Sequence, residues 1–281
     1  MRSLLMLFAM PFFTRGLTAL CVIGVAFPVL GTFILNLELI PARFAVMHAA
    51  LLGAAAALLF GLNPIIAAMA SSVIAGIGIA AVSWRGHVSA GGSLGLMMTV
   101  CMGVAFIIFY KSNIHAIEAF NIFWGNILSL TPQDTRLITL TALGIMAFLL
   151  AAYKEIHIVL YDRDLARAVG VRAVAVYGGI MLAVCLGIAS AMRVTGALMV
   201  DVVTILPALA ARRLGRTFRG ILLWGSALGL CMNLTGYALS FALDIPVSSA
   251  IILIGAALVF GIHGITDKRE KTGKTGRLKS A

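Results

Sequence analysis

The chain has 281 residues, of which 62% are hydrophobic and 11% charged, with a formal net charge of +11 and a mean hydropathy of +1.08. So little polar surface cannot coat a soluble globule of this length, which places the chain in a bilayer. The basic residues lie between or beyond the apolar runs, as the positive-inside bias and contact with anionic membrane lipids require, and they do not point to nucleic acid.

Residues 1–16, MRSLLMLFAMPFFTRG, hold a basic residue and an apolar core but no small-residue cleavage site, so they read as a retained interfacial segment. Apolar runs of about 20 residues, the length of helix that crosses ~30 Å of hydrocarbon, then recur to the end of the chain. They cover Leu17–Leu37, Phe44–Phe60, Pro64–Val82, Leu94–Tyr110, Leu137–Tyr153, Val174–Ala191, Thr195–Ala211, Ile221–Leu243 and Val247–Ile262. The alternating pattern of a membrane barrel is absent. The expected fold is an all-α polytopic bundle of eight to nine transmembrane helices over residues 17–263, followed by a basic tail at 264–281. Between the fourth and fifth runs, Ala116–Leu130 with Trp124 reads as a short interfacial helix. Small residues such as Gly53-Ala54-Ala55-Ala56 suit close helix packing.

Loop charges set the expected topology. Lys268, Arg269, Lys271, Lys274, Arg277 and Lys279 place the C-terminus in the cytoplasm. Arg212, Arg213, Arg216 and Arg219 form a second inside loop, two runs away, and Asp244-Ile245-Pro246 faces outside. The same count puts Glu38 inside and residues 1–16 outside, against Arg2 and Arg15. Gly273-Lys274-Thr275 has the ending of a phosphate-binding loop, but Lys268 stands where the first glycine is needed.

One polar stretch interrupts the apolar pattern, YKEIHIVLYDRDLARAVGV, Tyr153–Val171. Asp162 is placed to cap a short helix and Gly170 to end it in a left-handed turn. Arg163 and Arg167 then share one face, with Leu165 and Val169 on another. Such a helix suits docking into another protein; an ordinary solvated loop is the plainer alternative.

Ionisable groups inside spans are costly and face the bundle interior by default. Two stand out, His48 in the second run and Asp201 in MVDVVTILP. Met47, Met192 and Met199 read as apolar filler, with a thioether path for a soft ion as the rarer use. His87, His115, His157 and His263 fall near span ends, and Glu155 lies beside the polar stretch. Cys21, Cys101, Cys185 and Cys231 each sit in an apolar run without CxxC spacing and read as buried reduced thiols. No HExxH or GxSxG pattern supports an intramembrane enzyme.

Several blocks, in order from about Leu17 to Phe260, resemble the membrane subunits of bacterial ABC importers for zinc, manganese and related metal ions. Phe123-Trp124-Gly125-Asn126-Ile127-Leu128 is similar to the family's FGNIL block. Tyr153-Lys154-Glu155, Tyr161-Asp162 and Leu165-Ala166-Arg167-Ala168-Val169-Gly170 are similar to its YKE, FDPE and LARALG blocks. Thr195–Val200, Ile205–Ala208 and Ala210–Arg212 resemble VGALLV, ILPA and TAR, and Leu243–Pro246 resembles LDLP.

The resemblance implies a non-enzymatic permease in the bacterial inner membrane, working as a homodimer with a cytoplasmic ATP-binding subunit and an extracytoplasmic metal-binding protein. Asp162, Arg163, Asp164, Leu165, Ala166, Arg167 and Gly170 would form the coupling helix, within 161–170, that the ATPase grips. The cargo would be a divalent metal ion, zinc or manganese before iron, with no cofactor bound permanently. His48 matches the histidine of a GDALSHA-like block, but Phe44 stands at its acidic position. One expectation is that Asp201 supplies the missing carboxylate, making His48 and Asp201 the metal-passing pair, since imidazole and carboxylate suit such ions. The alternative has His48 bonded to a backbone carbonyl and Asp201 held by Arg193 or Thr204. A permease for a metal chelate or other small solute, or a proton-coupled carrier using Asp201, remain as rival functions, the last lacking an inverted second half.

Overall fold

The computed structural model describes residues 10–84, 90–112 and 127–279, and among these residues all regular structure is helical. In chain order the helices are α1 (Pro11–Asn36), α2 (Ile40–Phe60), α3 (Pro64–Trp84), α4 (Ala90–Lys111), α5 (Pro132–Ala151), α6 (Tyr153–Tyr161), α7 (Arg163–Ala168), α8 (Ala173–Leu214), α9 (Phe218–Leu243) and α10 (Val247–Lys279). A single 3-10 turn, Ile127–Ser129, precedes α5. The first nine residues, and most of the segment expected to lie in the interface around Trp124, fall outside the described residues.

Local chemistry sets the helix ends. Prolines stand in the first turn of α1, α2 and α5, where the missing N–H costs nothing. Thr131 and Asp134 form a reciprocal capping box at the start of α5, and the Thr217 hydroxyl accepts from the Gly220 N–H at the start of α9. Several boundaries differ from the sequence expectation by a few residues, most widely at the two ends of the chain. The first helix begins at Pro11, before the run from Leu17, and α10 continues through the basic tail to Lys279.

Among the described residues eight helices are long and apolar enough to cross a membrane, the first arm of α8 being one of them. The two runs expected at Val174–Ala191 and Thr195–Ala211 belong to one 42-residue element, α8, broken at Gly196 by φ 75° and ψ 164°. That conformation is open only to glycine. Here the chain turns back on itself. A Cβ built at Gly187, on the first arm, would meet the side chain of Leu30 in α1 at 2.7 Å, while one built at Gly31 would overlap the Thr204 carbonyl on the second arm. In a straight helix Gly187 and Thr204 would lie about 25 Å apart at ~1.5 Å per residue, too far to reach consecutive residues of α1.

Neighbours of α1 give the remaining directions. The Tyr237 hydroxyl donates to Phe13 O at 3.1 Å, Asn233 Nδ2 to Leu20 O at 2.9 Å and Ser226 Oγ to Val25 O at 2.8 Å, so α9 is antiparallel to α1. Arg15 reaches Leu130 O, before α5, and Arg212 reaches Asn36, so α5 and the second arm of α8 run parallel to α1. One end of the bundle therefore gathers Asn36, Ala151, Leu214 and Phe218, with the exposed Lys154, Arg212, Arg213, Arg216 and Arg219 around it.

The interior is built from α1, α2 and the first arm of α8, whose apolar windows are 72%, 67% and 61% buried, against 17% for α4 and α10. Leu20, Phe27, Leu30, Phe33, Leu51 and Ile180 are almost wholly enclosed there. The outer helices turn large apolar side chains outward, Phe106, Leu140, Leu223 and Phe260 among them, as lipid-facing surfaces do.

Candidate functional site

His48 lies in α2 and is 5% exposed. Its Nδ1 is 2.8 Å from the carbonyl oxygen of Phe44, one turn earlier. In the neutral ring that bond requires Nδ1–H to donate, which leaves Nε2 as the lone-pair nitrogen. Metal-ligating histidines are commonly oriented by such a bond, so the backbone contact and a role as metal ligand are compatible.

Asp201, on the second arm of α8, is ion-paired to Arg43. This corrects the expected partners. Thr204 gives its hydroxyl proton to the Val200 carbonyl instead, and the Arg193 side chain lies outside what the structure describes. An arginine just before an apolar run has the position of a snorkelling flank, so nothing in the sequence marks Arg43 as this partner. The helix in fact starts at Ile40, and Arg43 is 3% exposed within its first turn. The residue after it is Phe44, whose ring lies 4.6 Å from the Arg43 guanidinium carbon. The Phe44 side chain therefore helps to hold a cation. Among the described residues, Arg43 Nε has no hydrogen-bond partner.

Among the described residues His48 and Asp201 are thus each bonded to another group and not to one another. No three His, Cys, Asp or Glu side chains cluster as a metal centre among those residues. Met47, Met192 and Met199 are buried members of the apolar core. Cys101 and Cys185 are buried free thiols, but Cys21 is half-buried and Cys231 exposed, against the expectation that all four are enclosed. His263 Nδ1 bonds the Val259 carbonyl, and His157 stacks on Tyr153 beside Phe218. His87 and His115 lie outside the described residues. Glu38 takes up a left-handed conformation, φ 54°, in the α1–α2 turn, and Glu155 is exposed.

The polar stretch folds as its capping pattern requires. Asp162 Oδ1 accepts from the N–H of Asp164 at 2.8 Å and of Leu165 at 3.1 Å, and Gly170 ends the turn with φ 81°. Ala166 is fully buried against Val159 of α6 and Ala173 of α8. That small side chain seats α7 on the bundle. Tyr161, Leu165 and Val169 are left exposed at 83%, 46% and 59%, and Arg167 pairs with Asp164 at 3.1 Å. Apolar knobs beside charges, on a helix fixed from behind, form a handle that a partner can grip.

Comparison with known proteins bears on both regions. The model of the ABC 3 transport family matches residues 9–264. The chain is 24% identical over 251 residues to the manganese transport system membrane protein MntC of Listeria monocytogenes, covering 89% of each. It is 26% identical over 215 residues to a Haemophilus influenzae protein described as a probable iron transport system membrane protein, covering 76% of this chain and 78% of that one. In fold it is similar to a chain of PsaBC from Streptococcus pneumoniae, solved in complex with Fab, with a TM-score of 0.81 at 21% identity and coverage of 90% and 91%. The eight membrane-length helices, the capped α7 and the family match over nearly the whole chain agree, and the chain belongs to the ABC 3 transport family.

Proposed function

We propose that this chain is the permease subunit of an ABC importer for a divalent metal ion, manganese or zinc before iron, driven by a separate ATP-binding subunit. The observation that carries this reading is α7, a capped helix held on Ala166 with Leu165 and Val169 exposed beside the Asp164–Arg167 pair. Its role is to pass the closure of the ATPase pair to α6 and α8, rocking the bundle between outward and inward openings. Two copies of the chain form one transporter, because each brings one handle for two ATPase sites. The basic end of the bundle faces the cytoplasm, and an extracytoplasmic metal-binding protein loads the opposite end. The bacterial inner membrane is where such an assembly works. In this reading His48 is the ligand of the path, offering Nε2, and Asp201 is a second, charged wall.

Metal accumulation in cells expressing the assembled transporter tests this, with zinc, manganese, iron and copper compared and His48→Ala beside the wild type. Selective uptake of one ion, lost in His48→Ala, is expected. Full uptake in an Asp201→Asn transporter would remove Asp201 from the path.

The Arg43–Asp201 pair favours one other reading. A fixed guanidinium beside Phe44, where the family places an acid, opposes a bare dication and favours a cargo whose charge is already met by its own ligands. Uptake of a chelated metal, with no uptake of the free ion by a complex that still hydrolyses ATP, would select it. The proton-coupled carrier rested on an isolated Asp201, and its pairing with Arg43 ends that isolation.

A further inference from the structure

At the basic end of the bundle a cavity of about 680 Å³ lies where α1, α5 and α9 meet. Its wall is apolar, formed by residues such as Val29, Phe33, Leu149 and Leu222, and its rim carries Lys154, Glu155 and Arg219. Ala151 ends α5 and Phe218 begins α9, so the rim stands where the spans leave the hydrocarbon and the wall lies within it. Leu150 and Leu223, exposed at 68% and 72%, flank the opening on its lipid side.

Among the described residues neither Lys154 nor Arg219 forms an ion pair, although Glu155 shares the rim with them. Arg219 is instead steadied over the Tyr153 ring, its guanidinium carbon 5.3 Å from the centroid. Two cations above an apolar groove, neither in an ion pair among the described residues, match one class of ligand. A free phosphate would need the cations but not the wall, and an apolar chain would need the wall but not the cations.

We propose that this cavity is a binding site for one anionic phospholipid, its phosphate between Lys154 and Arg219 and an acyl chain along Phe33 and Leu222. Basic pockets between transmembrane helices take such headgroups. A zwitterionic lipid fits less well, because its ammonium group would face the two cations. Tyr153 and Lys154 open α6, the helix against whose later residue Val159 α7 is seated, so the site and the handle share α6.

Trp224 follows Leu223 and is 47% exposed, which makes it a native reporter. The full-length protein is placed in phosphatidylcholine nanodiscs carrying a fixed fraction of brominated phosphatidylglycerol or brominated phosphatidylcholine, and tryptophan quenching is read. Stronger quenching by the phosphatidylglycerol is expected, with its apparent affinity falling about five-fold for each of Lys154→Gln and Arg219→Gln, while Arg219→Lys keeps it. Equal quenching by the two lipids in the wild type would overturn the proposal without any variant having to fold. So would an unchanged phosphatidylglycerol preference in the double Gln variant, or loss of that preference when the ATP-binding subunit is bound. Inorganic phosphate alone at millimolar concentration is expected not to displace the lipid; displacement would mark a simple anion site and also overturn it.

Discussion

Two ion pairs in this protein use the same chemistry and differ in everything else. Asp164 and Arg167 lie three residues apart on α7, with side chains 89% and 54% exposed. Arg43 and Asp201 come from different helices, and the arginine side chain is only 4% exposed. Water screens the first pair and satisfies its leftover donors, so neither partner depends much on the other. In the second pair Arg43 has given up its hydration while Asp201, its side chain 27% exposed, keeps part of its own, so it is the arginine that depends on its partner. A buried pair of this kind does not add much net stability over an apolar pair of similar size; it fixes which segments must meet. Here it ties the start of α2 to the second arm of α8, an arm that exists only because the chain reverses at Gly196.

The comparison breaks most readily at Asp201. Asp201→Asn strands a buried guanidinium, and a loss of about 3–5 kcal/mol is expected in denaturant unfolding of the purified protein. Replacing both partners, Arg43→Met with Asp201→Leu, should restore most of that loss. A stable Asp201→Asn protein would show that the pair is not buried in the native state.

Gly196→Ala ranks next. Its φ of 75° with ψ 164° is closed to alanine, so the reversal of α8 is expected to cost about 1–3 kcal/mol, read as a lowered unfolding midpoint. An unchanged midpoint would mean that the two arms do not need this turn.

At α7 the expected effects on stability are smaller. Asp162→Ala removes the cap and costs about 1 kcal/mol, felt locally, while stimulation of the ATPase by the permease should fall much further than the fold does. Arg167→Ala should change stability by about 0.5 kcal/mol or less, and that change should vanish at high salt, whereas the Asp201→Asn loss should persist. A salt-dependent Asp201→Asn effect would erase the contrast between the two pairs.

Much of this was legible in the amino-acid order, because the signals are local. The apolar runs, the Pro and Thr helix starts, and the Asp162 to Gly170 cap and stop each depend on neighbours within a few residues. The candidate path was legible only in part. His48 and Asp201 stand out as polar groups in apolar runs, but Arg43 lies just outside a run, where a charge carries no signal. A one-turn difference in where α2 begins carried it into the interior. Likewise the runs ending at Ala191 and beginning at Thr195 mark two spans but not the place of the turn between them, which Gly196 makes within one element.

Sequence alone determined that this chain is a helical membrane bundle with a capped polar helix, because hydropathy and capping act over one or two turns. Tertiary structure alone decided that Asp201 answers to Arg43, 158 positions away. The reason is burial. A charge removed from water must take whichever counter-charge the packing brings within reach, and that choice belongs to helices that meet in space.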